Sequence, residues 1–345
     1  MRNTITSFLL IIVSSLFIFC TLKNTGDKEE LKFVVPEGWP KPTYDFEKNP
    51  IRPEIFSLGR KLFYDPVLSR DSSTSCSSCH LQYTNFTHID HSLSHGINGR
   101  IGSRNTLSIV NMAWNTSFMW DGGINHLEVQ ALAPIENPDE MDSSMKDILK
   151  KLNNSESYKK KFRKAFGGGE ITGQNFLKAL TQYMLMLESY NSKYDRVMRK
   201  EKGIAFNEYE LKGLTVFRQH CESCHREPLF TNGGFENNGL EIDPTLNDYG
   251  RIKITGKKED SLKFKVPTLR NIELSQPYMH DGRYKNLQMV LFHYSAGIAE
   301  SKNKSDKIHG AMPLSEEDKG NLIAFMKTLT DESFLQDKRF SYSAE

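Results

Sequence analysis

Cysteine is scarce in this 345-residue chain: there are five, four of them in two short motifs and the fifth at Cys20. So few cysteines, placed this way, make a disulfide-stapled scaffold a minor alternative. Net charge is nearly absent as well, +2 at pH 7 from 45 basic and 43 acidic residues, too little for the field of the whole molecule to attract nucleic acid or a charged membrane. No apolar run is long enough to span a bilayer comfortably, and no run alternates strongly enough to argue for a sheet. Gly167-Gly168-Gly169 reads as a turn, with nothing around it to suggest a phosphate loop. The remaining composition, 38% apolar and 26% charged, is that of a globular protein long enough for two domains.

What the chain does contain is two Cys-x-x-Cys-His motifs, Cys76-Ser77-Ser78-Cys79-His80 and Cys221-Glu222-Ser223-Cys224-His225. Two cysteines at this spacing reach both vinyl-derived carbons of one haem, and the histidine that follows becomes the proximal iron ligand. A zinc site would close four N/S ligands at short spacing, and neither motif has a second cysteine pair nearby. The two copies therefore read as two covalently bound haem c groups in two domains.

The N-terminus reads as a targeting segment. Arg2 supplies a positive start and Phe8 to Phe19 an apolar core, giving a signal peptide over 1–20 and export to the periplasm. Cys20 at its end looks like the lipidated first residue of a bacterial lipoprotein, although Phe19 stands where a small residue is usual. A cleaved soluble form and an uncleaved anchor are the alternatives. Residues 21–50, charged and punctuated by Pro36, Pro40, Pro42 and Pro50, read as a tether.

Pro53 opens a helix carrying Ile55, Leu58 and Leu62, stopped by Pro66, and residues 81–142 read as long loops with short helices. Met145, Ile148, Leu149 and Leu152 mark a helix; Phe176, Leu177, Leu180, Met184, Leu187 and Tyr194 mark a longer one. Asn207 with Glu210, and Ser315 with Asp318, form capping boxes at the starts of two further helices, one delivering the second haem motif and one closing the chain. The expected fold is all-α: two cytochrome c-like domains over 51–202 and 203–335.

The haem motifs, Phe118-Met119-Trp120-Asp121-Gly122-Gly123, the run from Leu127 to Met141, Val266-Pro267-Thr268-Leu269-Arg270-Asn271 and Pro277-Tyr278-Met279-His280-Asp281-Gly282 occur in an order that resembles the bacterial dihaem cytochrome c peroxidases and the related MauG-type enzymes. The likeness runs from about Pro53 to Thr330. It implies a peroxidatic N-terminal domain and an electron-transfer C-terminal one. Trp120, Gln130 and Glu140, spaced at ten-residue intervals, match the family's inter-haem tryptophan, peroxide-orienting glutamine and general acid–base glutamate. Splitting an O–O bond on iron needs a proton donor beside an opening coordination site, which suits a carboxylate in a mostly apolar pocket. Outside this context a glutamate in a proline-rich loop is a solvated surface residue, and a lone tryptophan is core.

The resemblance further implies a distal histidine on the N-terminal haem, matched by His95 among His88, His91 and His95. Without that ligand the haem is open at rest, as in the MauG-type proteins. At the C-terminal haem the peroxidases use methionine. The matching position here is Tyr294, the residue type of the MauG-type branch, with Met312 and Met289 as fallbacks. Asn105, Ser275 and Pro277 match the positions that hold a calcium ion between the domains. The implied partners are hydrogen peroxide and a small electron donor (a cytochrome c, a cupredoxin or a quinol), and the family's habit implies a homodimer. Two alternatives to a peroxidase stand beside it: a MauG-like oxidase acting on a partner protein, and a dihaem electron carrier without catalysis.

Overall fold

The computed structural model describes residues 31–342, so the signal-peptide stretch, Cys20 and the first part of the tether lie outside the described residues. Helices dominate. The only named strands among the described residues are Phe235–Glu236 and Phe264–Lys265, paired antiparallel with Phe235 opposite Lys265. No helix among the described residues is long and apolar enough to cross a membrane.

Each half is organised around a crossed pair of helices. In the first, Pro53–Tyr64 begins with proline, whose missing N–H costs nothing there, and ends before Pro66, which disfavours helix at Asp65. It buries Ile55, Phe56, Leu58, Leu62 and Phe63, and crosses helix Gly173–Leu185. The crossing requires glycine at 59, because a Cβ there would sit 1.9 Å from the Ala179 carbonyl oxygen. The second half repeats the device. Helix Glu208–His220 crosses Glu316–Lys327 at Gly213, where a Cβ would come 1.9 Å from Asn321 O. Both expected capping boxes are formed, Asn207 with Glu210 and Ser315 with Asp318. Between the two members of the first pair in sequence lie helices Met145–Asn153 and Glu156–Phe166, the second of which carries five basic residues and was not singled out by periodicity. Helix Leu287–Ala296 packs against Glu316–Lys327.

Two sequence expectations change. The helix expected to run on to Tyr194 stops at Leu185, and Tyr194 belongs to a separate helix, Lys193–Met198. Distant groups capture the intervening backbone: Ser189 N–H donates to Asn111 Oδ1 (3.0 Å), and Tyr190 and Asn191 N–H donate to the Asp331 carboxylate (3.0 and 2.8 Å). These bonds satisfy donors that a continuing helix would have used. The described part of the tether, though free of helix and strand, is packed. Phe33 packs tilted against Trp114 and Trp39 meets it edge-on (5.4 and 5.0 Å between centroids), Trp114 Nε1–H donates to Pro40 O (2.7 Å), and buried Asn49 is hydrogen-bonded to Gln182. From Lys32 onward the chain is one compact unit. Its far end returns to the first half, where Phe340 O accepts from Tyr64 (2.8 Å) and Tyr183 (2.6 Å).

Candidate active site

Each Cys-x-x-Cys-His motif ends in a histidine held by the same construction. His80 Nδ1 lies 2.7 Å from Phe86 O, and His225 Nδ1 lies 3.1 Å from Phe230 O. Phe86 and Phe230 both adopt left-handed backbone (φ 54° and 53°), a conformation bulky residues avoid, and both rings are wholly buried. Burial of the ring thus anchors a turn that aims a carbonyl at the imidazole. A carbonyl on Nδ1 fixes the tautomer and leaves Nε2 for a metal. The four motif cysteines carry no disulfide. A cavity of about 460 Å³ opens beside Cys79 and His80. Free thiols, an oriented imidazole and adjoining space fit a covalently attached haem, whose own chemistry is a redox-active iron with an exchangeable sixth position.

The same cavity is lined by Trp120, Gln130 and Glu140, so the three residues brought together by sequence spacing also meet in space. Trp120 is placed by a tight turn in which Met119 is left-handed (φ 69°) and Phe118 bridges Ile124. Its indole N–H donates to Asn105 O (2.9 Å), which holds the ring in the wall between the halves. Gln130 ends the short helix Leu127–Gln130, and its amide reaches Met119 Sδ at 3.7 Å. The Glu140 carboxylate accepts from Asn137 Nδ2 (2.8 Å). Burial pushes its pKa above the usual carboxylate range; the Asn137 bond opposes that and the Asp139 charge adds to it.

His95 lies at the rim. Its carbonyl accepts from Cys79 Sγ (3.4 Å), while its ring packs on His91 (4.0 Å between centroids), which in turn stacks on His88. Ser94 and Gly102 line the cavity, whereas the lining does not include His95. The loop is pressed against Glu140: a Cβ on Gly96 would meet Asp139 O at 2.1 Å and Glu140 O at 2.4 Å.

At the second motif, Tyr294 faces the cysteines. Burial pushes its phenol pKa up to about 12; the Asn238 side-chain bond opposes that, and the Cys221 and Cys224 sulfurs add to it. Asn238 Nδ2 lies 3.4 Å from Tyr294 OH and 3.6 Å from Met279 Sδ. Met312 N–H donates to Tyr294 O (2.8 Å), so it stays close; Met289 is 40% exposed on helix Leu287–Ala296 and points away. Asn105, Ser275 and Pro277 line one cavity wall together. The Asn105 amide donates to Ser92 O (3.0 Å), leaving its Oδ1 available to a hard cation.

Sequence reasoning missed Asn137, Asn238, Met119 and Met279. The signal that finds the methionines is an internal repeat, Phe118-Met119-Trp120-Asp121-Gly122 against Tyr278-Met279-His280-Asp281-Gly282. Both stretches form the same turn: Met279 is left-handed (φ 74°) and Tyr278 bridges Tyr284, as Phe118 bridges Ile124.

Comparison with known proteins agrees with this geometry. Residues 53–203 match the model of a family described as di-haem cytochrome c peroxidase. The methylamine utilization protein MauG of Methylorubrum extorquens is 34% identical over 311 residues, covering 87% of this chain and 84% of that protein. The cytochrome c551 peroxidase of Nitrosomonas europaea is 32% identical over 285 residues, 81% of each chain. Among solved structures, a MauG-like protein associated with microbial copper homeostasis superposes with a TM-score of 0.82 at 32% identity, covering 90% of this chain and 98% of that one.

Proposed function

Because this chain belongs to the di-haem cytochrome c peroxidase family, we propose that it reduces hydrogen peroxide to water in the periplasm, using electrons from a cytochrome c, a cupredoxin or a quinol. The chain is an oxidoreductase of the peroxidase type, with two haem c cofactors. The observation that carries the finer reading is the convergence of Glu140, Gln130 and Trp120 on the cavity beside Cys79 and His80. Haem bound there supplies a redox-active iron at which peroxide takes up electrons. The net change is one peroxide, two electrons and two protons to two waters. Glu140 would hold a proton and move it between the two oxygens of a peroxide in this cavity, so that one oxygen could leave as water. Partial burial suits it to this relay, since a carboxyl with a raised pKa holds and releases a proton nearer neutrality. Gln130 orients the peroxide, and Trp120 in the shared wall couples the two haem sites. His95 would supply a displaceable ligand to the haem if its ring turned from His91 towards the cavity. A calcium ion, if bound, would be held by Asn105, Ser275 and Pro277 and would stiffen the wall between the halves.

In this reading residues 51–202 are the peroxidatic unit and 203–335 the electron-entry unit, exported by the 1–20 segment, anchored through lipidated Cys20 and working as a homodimer. The experiment is steady-state peroxide reduction by Glu140→Gln holoprotein. A fall of about 100-fold or more is expected, the usual scale of general acid–base catalysis. An unchanged rate with both haems attached overturns the role of Glu140.

One observation favours a second reading. Tyr294 rather than an exposed Met289 faces the second motif, the residue type of the MauG-like oxidases that act on a partner protein. Electron paramagnetic resonance separates the two. A high-spin signal that appears only after one-electron reduction supports the reductively activated peroxidase. A high-spin signal already present in the oxidised protein supports the MauG-like branch.

A further inference from the structure

Lys265 is out of place by every ordinary rule. It is 5% exposed, and its Nζ, shielded from water, has no hydrogen-bond partner among the described residues. Burial pushes its pKa down to about 8. The ammonium lies 5.9 Å from the Phe235 ring, and Arg251 already covers that ring at 4.0 Å. Lysine is almost never buried without a partner, because an uncompensated ammonium is heavily penalised in a dry interior. Nor is the side chain there by accident of a loose loop. Lys265 is held in the short strand pair opposite Phe235, and its N–H donates to Trp120 O at 2.7 Å, so the residue is fixed beside the tryptophan.

The residue lines the same cavity as Cys79, His80 and Trp120. Its missing partner must therefore arrive with whatever fills that space, and must be an anion. Hydrogen peroxide is neutral near pH 7, and a calcium ion beside Asn105 would add positive charge. A haem brings two propionate carboxylates. We propose that Lys265 is the counter-cation of a propionate of the haem attached at Cys76 and Cys79, fixed next to Trp120 so that one element of the shared wall holds both the tryptophan and the cofactor. The proposal rests on the reading that this motif carries haem.

A positive charge beside a haem favours the reduced state, because reduction removes one positive charge from the iron. The test is a spectroelectrochemical titration of holoprotein carrying Lys265→Met and of holoprotein carrying Lys265→Arg. The methionine variant is expected to lower the midpoint potential of one haem and leave the other unchanged, and the arginine variant to stay at the wild-type value. Unchanged potentials in a Lys265→Met protein with both haems attached overturn the proposal. If that variant does not assemble, a crystal structure of wild-type holoprotein gives the same decision. A propionate oxygen within hydrogen-bond reach of Nζ supports the pairing, and a propionate directed elsewhere overturns it. Counting haems per chain in the wild-type protein beforehand separates a failure of this inference from a failure of the haem reading itself.

Discussion

The two halves of the molecule use one set of parts and reach opposite results. Both cross two helices at a glycine, tie the motif histidine to a buried left-handed phenylalanine, and follow with a Met-x-Asp-Gly turn. The first half then breaks its next helix after Gln130 and restarts it at Leu132, so that Pro134 stands where the second half, counted from the shared turn, has Tyr294. In the second half helix Leu287–Ala296 continues unbroken and carries Tyr294 towards its motif. Where the first turn has Trp120, the second has His280, half-buried, stacked on Phe264 at 3.6 Å and pushed down to about 4 by desolvation, hence neutral. The second half has its own core, in which Leu214, Phe217, Phe230, Phe325 and Leu329 pack together. A small change in one helix therefore decides what each half presents beside its motif, Pro134 on a broken helix in the first and Tyr294 on an unbroken one in the second. That difference suits a division between peroxide chemistry and electron entry.

The comparison can be broken at several points. Tyr294→Met tests it most severely. Replacing a phenolate-type ligand by a thioether raises the potential of the C-terminal haem, by on the order of hundreds of millivolts if Tyr294 ligates the iron. Potentiometry that finds no change removes Tyr294 from the coordination sphere.

Next in size is Arg270→Leu. Arg270 is wholly buried and forms a two-pronged ion pair with Asp195 (2.9 and 2.8 Å), and its loss strands a buried carboxylate. Destabilisation of about 3–5 kcal/mol is expected in denaturant titration. A cost under about 1 kcal/mol would show that the pair is not needed to hold the second half.

Gly59→Ala and Gly213→Ala probe the shared crossing. Each places a methyl group against a facing carbonyl, and each should cost about 1–3 kcal/mol by overpacking. Equal losses support the repeated architecture, whereas a loss at only one site shows that one helix pair can slide apart.

The smallest effect concerns the packed coil, which only the first half possesses. Glu188 is buried there, receives Val34 N–H at 3.3 Å, and is raised by desolvation to about 8 from an ordinary value of 4.5. A raised folded-state pKa contributes stability that is full below the unfolded pKa and is lost as pH rises towards 8. Glu188→Gln should therefore flatten the fall in melting temperature between pH 5 and pH 8.5 and leave the variant more stable than the parent at the upper end, by on the order of 1–2 kcal/mol. Parallel pH profiles would remove Glu188 as the source of the slope.

Much of this was legible in the residues alone. The haem motifs are local covalent chemistry and need no fold to be recognised. The helix starts at Pro53, Asn207 and Ser315 follow from capping groups within one turn. Glu140, Gln130 and Trp120 were reachable because their spacing matches a known pattern, and the structure gathers them around one cavity. The stop at Leu185 was not legible, since the groups that take over the backbone, Asn111 and Asp331, lie far away in sequence. Nor was the packing of the proline-rich coil, which depends on Trp114 offering a face for Phe33 and Trp39.

By itself, then, the sequence determined the two Cys-x-x-Cys-His motifs, the helical class and the identity of the groups available for chemistry, because each depends on neighbours within a few residues. Only the tertiary structure decided that residues from both halves line one cavity, that Met289 is left exposed, and that Lys265 is sealed into the wall beside Trp120. Those outcomes turn on burial and on contacts between distant segments, and burial sets the cost of a charge or an empty space.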